Sequence, residues 1–185
     1  MDTPRDQSPL KACADKLLRL LVQHSFQYSA EPVFTLASGR KSRYYINCKK
    51  TTFLSEAMPL LGQLFFERIK AIEQTDGEQI VAVGGLTLGA DPIAYAIAYH
   101  SALAGEPIQA FSVRKEPKGH GAQKWVEGFE QPAARVVIIE DVVTTGASTL
   151  KGSLQWLEEP SHSALSKIAV AAKSPFLVET SKCSQ

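Results

Sequence analysis

Residues 136–149 read VVIIEDVVTTGAST, a β-branched run that ends in two adjacent acids and passes straight into Thr-Thr-Gly. Val136, Val137, Ile138 and Ile139 show no polar–apolar alternation. A strand of that kind is covered on both faces, as in a parallel sheet. Glu140 and Asp141 then stand at its carboxyl end, and residues 142–148 form a short loop of small and hydroxylic residues around Gly146. Leu150, Leu154 and Leu157 follow at helical spacing, with Ser148 or Thr149 as the expected cap. The unit is strand, acids, small loop, helix. Free backbone N–H groups and the helix dipole favour a phosphate at such a helix start. The acids would repel that phosphate, so they serve something uncharged or cationic beside it, a diol or a magnesium ion. A sugar phosphate with free hydroxyls satisfies both halves.

Strand and helix patterns alternate through the rest of the chain. Amphipathic helices are expected over residues 10–22, through Leu17, Leu18, Leu21 and Val22, and over 55–72, through Leu61, Leu64, Phe65 and Ile69. Strands are expected over 80–83, 108–113, 135–139 and 168–172, and Pro92 suits the first turn of a helix over 93–103. This order implies an α/β fold: a doubly wound, mostly parallel sheet flanked by helices. Residues 34–47 read as two extended pieces around ASGRKS, a hairpin that would form a small N-terminal hood. The whole of 1–185 is read as one domain, with helix and hood over about 10–54 and the α/β core over about 55–175. Ligands bind such sheets at the carboxyl ends of the strands. Three loops meet there, 84–92, 114–128 and 140–148.

Composition narrows the function. The 185 residues are 44% hydrophobic and 21% charged, with a net charge of +1, so nothing general points to nucleic acid or a membrane surface. Cys13, Cys48 and Cys183 have no zinc or CxxC spacing and read as reduced thiols. The first residues lack a signal-peptide core, and the longest apolar region, PIAYAIAYHSALAG, is too short to span a bilayer. A cytoplasmic protein is expected. Neither GxxxxGK[ST] nor GxGxxG occurs, which removes the main support for nucleoside triphosphate and dinucleotide readings.

Three further stretches carry chemistry. VRKEPKGHGAQKWVEGF, residues 113–129, sets Arg114, Lys115, Lys118, His120 and Lys124 around Gly119 and Gly121. Alone it suits a solvated loop; functionally it suits a glycine-hinged lid whose cations close over diphosphate. FTLASGRKSRYYIN, residues 34–47, interleaves Phe34, Tyr44 and Tyr45 with Arg40, Lys41 and Arg43. It suits either a hairpin burying its aromatics or an apolar slot for a heteroaromatic ring. GGLTLGADP, residues 84–92, suits a tight turn or close backbone approach to a ligand. His24, His100 and His162 read as structural or surface residues, and Trp125 and Trp156 as packing residues.

These four stretches, in this order, resemble the orotate phosphoribosyltransferases, within the type I phosphoribosyltransferases. VVIIEDVVTTGAST is similar to their 5-phosphoribosyl 1-diphosphate motif, RKEPKGHG to their catalytic loop and FTLASGRKSRYYIN to their orotate-side hairpin; the match runs over about residues 10–157. The resemblance implies that Glu140 and Asp141 hold the ribose hydroxyls. Thr144, Thr145, Gly146, Ala147 and Ser148 would cradle the 5-phosphate, with Thr144 also near orotate. Arg114, Lys115, Lys118 and His120 would contact the diphosphate, and Tyr45 and Ile46 would line the orotate slot. Lys118, His120 and Asp141 are the implied catalytic residues. Magnesium would travel with the diphosphate, with no dedicated protein site. The implied assembly is a homodimer in which Lys115 serves the neighbouring site. The implied reaction makes orotidine 5′-phosphate and diphosphate. Two alternatives stand beside it: transfer to another base, and a non-catalytic regulator that binds a phosphoribosyl ligand. Three positions depart from some relatives: Ala37 and Gly89, where a Lys can stand, and Ala172-Lys173, where Asp-Arg is usual.

Overall fold

The structure is a computed structural model that describes residues 8–36, 39–116, 124–131, 134–142, 147–158 and 167–170. Its centre is a five-stranded sheet ordered β7-β6-β5-β8-β9. The strands are β5 (Ala82–Leu86), β6 (Gln109–Val113), β7 (Val126–Gly128), β8 (Arg135–Ile138) and β9 (Lys167–Val170). β5 runs parallel to β6 and β8, β8 runs parallel to β9, and only β7 is antiparallel. The mostly parallel sheet expected from the strand–helix alternation is therefore present.

The absence of alternation in β8 has a direct structural cause. Val136, Val137, Ile138 and Ile139 are 0–3% exposed. Val136 and Ile138 pack on one face of the sheet with Phe111, Val126 and Trp156. Val137 and Ile139 pack on the other with Leu61, Phe65, Ile69, Ile93 and Ile97. Each such buried aliphatic contributes about 1.5–3 kcal/mol. Trp156 comes from α5 (Ala147–Glu158), which covers the first face; α3 (Met58–Asp76) and α4 (Asp91–Leu103) cover the second. Proline lies in the first turn of both α3 and α4, where a missing N–H costs nothing.

Several boundaries differ from the sequence reading. β5 begins at Ala82 and runs on to Leu86, so Gly84 and Gly85 belong to the strand. A Cβ at Gly84 would lie 2.6 Å from Cγ of Phe111, and one at Gly85 would lie 2.9 Å from Cβ of Ala90. These glycines admit close packing within the sheet rather than a ligand. Phe111 uses that room to meet Trp156, ring centroids 4.2 Å apart. β7 lies inside what reads as one long loop; the short VEG segment was too brief to give a period. α1 (Ser8–Leu20) passes into a π-helical turn at Leu21–Ser25. Leu17 and Leu21 are buried, whereas Leu18 and Val22 are exposed, so the apolar stripe is narrower than its sequence pattern. Ser148 and Thr149 lie within the first turn of α5 instead of ahead of it.

The hood has two small ribbons. β2 (Phe34–Thr35) pairs with β3 (Lys41–Ser42) as the expected hairpin. β4 (Tyr44–Ile46) pairs instead with β1 (Phe26–Tyr28), a strand absent from the sequence reading. The short helix α2 (Lys49–Thr52) follows. Thr51 fixes it: its hydroxyl lies 2.6 Å from Ser25 Oγ and donates to the Leu20 carbonyl at 3.3 Å. Leu17, Leu20, Leu21 and Cys48 join the same buried cluster as α3 and α4, so hood and sheet share one core.

Candidate active site

Parallel pairing sets the site. With Leu86 opposite Val113 and Gly84 opposite Ile138, the segments after β5, β6 and β8 leave the sheet at one end. The chain therefore delivers the turn at Gly89, the lid root at Arg114 and Lys115, and the acids Glu140 and Asp141 to one place.

In the acid pair, the Asp141 side chain is 8% exposed. Gly89 packs directly on it: a Cβ at residue 89 would lie 2.9 Å from Cγ of Asp141. Lys49 of α2 reaches it from the hood, Nζ to Oδ2 3.7 Å. Glu140 and Asp141 also line a small cavity with Cys48, Thr51 and Thr52 of the hood and Leu61, Phe65 and Ile93 of the core. Thr52 Oγ1 is buried there, without a hydrogen-bond partner among the described residues. Burial pushes the Glu140 carboxyl up to about 7, and the Asp141 charge pushes the same way; Lys115 and Lys49 pull it back. Burial and then Asp141 raise the Cys48 thiol to about 11, so this cysteine is a packing residue rather than a nucleophile.

The lid root is held at both ends. The Arg114 backbone N–H donates to the Trp125 carbonyl at 2.8 Å. The Arg114 guanidinium meets Glu127 through Nε at 3.0 Å and Nη2 at 2.9 Å. Lys151 of α5 donates from Nζ to the Lys115 carbonyl at 3.1 Å, which ties α5 to the segment that follows β6. The structure thus brings Arg114, Lys115, Glu140 and Asp141 to one end of the sheet. Ala147 and Ser148 form the first turn of α5. Lys118, His120, Thr144, Thr145 and Gly146 lie outside the described residues.

In the hood, Tyr45 stacks on Phe34 with ring centroids 5.6 Å apart and 20° between planes. Tyr44 lies 5.4 Å from Tyr28 and 6.1 Å from Phe26. Tyr44, Tyr45 and Ile46 are all exposed, so this hairpin does not bury its aromatics. Trp156 is fully buried and Trp125 packs partly against the same cluster, as packing residues should. Sequence reasoning missed Lys49. Its only signal is the adjacent pair Lys49-Lys50 directly after the aromatic strand, 92 residues before Asp141 in the chain.

No family model matches the chain. It is 50% identical over 137 residues to the orotate phosphoribosyltransferase of Aquifex aeolicus, a match covering 74% of this chain and 72% of that one. To the orotate phosphoribosyltransferase of Thermosynechococcus vestitus it is 46% identical over 143 residues, covering 76% and 70%. Among solved structures it resembles Mycobacterium tuberculosis orotate phosphoribosyltransferase, with a TM-score of 0.66 and 34% identity over 85% of this chain and 81% of that one. The same Mycobacterium protein in complex with 5-phospho-α-D-ribosyl 1-diphosphate matches with a TM-score of 0.56 over 77% and 72% of the two chains. The fold is that of the type I phosphoribosyltransferases. Sequence and structure agree: the chain belongs to the orotate phosphoribosyltransferase family.

Proposed function

We infer that this chain transfers the 5-phosphoribosyl group of 5-phosphoribosyl 1-diphosphate to orotate, giving orotidine 5′-phosphate and diphosphate, a step of pyrimidine biosynthesis. The observation that carries the reading is the partly buried acid pair at the end of β8, near the cations after β6 and the start of α5, in a chain 50% identical over 137 residues to an orotate phosphoribosyltransferase.

The chemistry follows from the charges. Glu140 and Asp141 accept hydrogen bonds from the ribose hydroxyls and fix the ring. The first turn of α5, with residues 144–146 before it, takes the 5-phosphate on backbone N–H groups. The bond from C1 to the diphosphate oxygen loosens first, and the departing diphosphate keeps the electron pair. Arg114, Lys115, Lys118 and His120 stabilise that growing charge, in a site preorganised for it. The orotate ring nitrogen then bonds to C1 from the opposite face and loses its proton. Tyr45 and Ile46 supply the slot that orients the pyrimidine. Among the described residues no three acid, histidine or cysteine side chains cluster into a metal cage. Magnesium carried by the diphosphate would add to the neutralisation of the leaving group.

We further propose that the chain acts as a homodimer, with Lys115 reaching the neighbouring site, and that it works in the cytoplasm. Among the described residues no helix is long and apolar enough to cross a membrane. The test of the reaction is orotate's ultraviolet absorbance. It should fall only when 5-phosphoribosyl 1-diphosphate and magnesium are both added, with diphosphate released in equal amount. Diphosphate released with another base, while orotate stays constant, would replace orotate as the acceptor.

A further inference from the structure

The acid pair is not completed by its own sheet. The Asp141 side chain is 8% exposed, adjacent in sequence to a second carboxyl, and Gly89 packs against it. The cation that meets it comes from the hood, on a helix of four residues. That helix is rigidly mounted: Thr51 and Thr52 are buried, and Thr51 is bonded to both Ser25 and the Leu20 carbonyl. Lys49 itself is 49% exposed, so its fixed feature is the direction of its stem, set by α2. The turn at Gly89 offers no cation.

We propose that Lys49 is a positioning residue for ribose binding, holding the Asp141 carboxylate in its acceptor geometry from across the hood–core boundary. The inference rests on the reading of Glu140 and Asp141 as the ribose-hydroxyl acceptors. A buried carboxylate without a counter-charge turns toward whatever solvent or donor it can reach. With Lys49 on one oxygen and Gly89 leaving room for the other, the carboxylate has one orientation. The charged groups that act on Glu140, the second acceptor, are Asp141 on its own segment, Lys115 after β6 and Lys49 of α2; Cys48, just before α2, lines the same cavity. Lys49 is also one of two cations that favour the ionised form of Glu140, against burial and the Asp141 charge, which favour the neutral form.

The experiment is a double-mutant cycle read by calorimetric binding of 5-phosphoribosyl 1-diphosphate with magnesium, from pH 6 to pH 9. Lys49→Met should weaken binding about tenfold near pH 7, within the range of coupled charged neighbours. The pH at which binding reaches half its plateau should move upward. Lys49→Arg should restore most of the affinity. In an Asp141→Asn background, Lys49→Met should cost little more. A merely structural Lys49 would lower the melting temperature without moving the pH midpoint. A Lys49 that touches the substrate directly would cost the same in both backgrounds. Either result overturns the proposal, as does wild-type affinity in Lys49→Met. Should Lys49→Met fail to fold, Lys49→Gln in the same cycle carries the same outcomes. Wild type that binds no 5-phosphoribosyl 1-diphosphate overturns both this inference and the functional reading; wild type that binds beside an indifferent Lys49→Met overturns this inference alone.

Discussion

Gly89 lies so close to Asp141 that a methyl group at residue 89 would overlap the carboxylate, with Cβ only 2.9 Å from Asp141 Cγ. The nearest atoms belong to a short side chain packed between the turn and α2, so relief means turning the carboxylate. Gly89→Ala should therefore weaken 5-phosphoribosyl 1-diphosphate binding by about 1.5–3 kcal/mol, the worth of a charged hydrogen bond. The melting temperature should change by no more than a few degrees. Equal affinity in calorimetry would show that the Asp141 rotamer does not matter to binding.

Glu140 gives the site a pH dependence with two opposite faces. Its carboxyl is raised from 4.5 to about 7, first by burial and then by Asp141. A group raised on folding binds its proton more tightly in the folded state. Its stabilisation is present below about 4.5 and is lost as pH rises through about 7. Glu140→Gln should therefore raise the melting temperature relative to wild type at pH 8 and do little at pH 5. Substrate binding needs the ionised acceptor, so the affinity advantage of wild type over Glu140→Gln should grow from pH 6 to pH 8. A constant ratio across that range would remove Glu140 from the ribose contacts.

Arg114 is occupied by Glu127, with N···O distances of 2.9 and 3.0 Å. To meet a diphosphate it must let go. Exposed pairs of this kind are worth about 0.2–1 kcal/mol. Glu127→Gln should then lower the KM for 5-phosphoribosyl 1-diphosphate by up to about fivefold at low salt. The difference should shrink as added salt screens the pair. A raised KM would mean that Glu127 orients Arg114 for the substrate instead of competing for it.

Gly84 serves the Phe111–Trp156 contact under the sheet. A Cβ there would meet the Phe111 ring at 2.6 Å and its backbone carbonyl still closer. Gly84→Ala should lower stability by about 3 kcal/mol, the upper range for overpacking. Urea denaturation with an unchanged midpoint would place the strain elsewhere.

The proposed dimer is tested by mixing. Lys115→Ala and Asp141→Asn homodimers should both be nearly inactive. If Lys115 serves the neighbouring site, a heterodimer holds one site with both lesions and one with neither, so activity returns. In a single chain the Lys115 charge already bears on its own Glu140. Proven subunit exchange without recovery would assign Lys115 to that site.

The sequence by itself determined the fold class and which loops the sheet brings to one end. An unalternating run at 136–139 demands cover on two faces, and the structure supplies it with Trp156 on one side and Ile93 and Ile97 on the other. Local pattern suffices there because burial on both faces leaves no choice of residue type. The acids and the cations after β6 are legible because they follow apolar strands at the carboxyl ends, where parallel sheets bind ligands. Tertiary structure alone decided the rest. Gly84 and Gly85 read as a ligand loop until Phe111 and Ala90 are seen pressed against them. β1 and β7 are three residues each, too short for a period, and exist because β4 and β6 offer them partners. Lys49 meets Asp141 across 92 residues of chain because Thr51 anchors α2 to Ser25 and Leu20. Nothing near either residue in sequence encodes that distance; it follows from the hood and the sheet sharing one core.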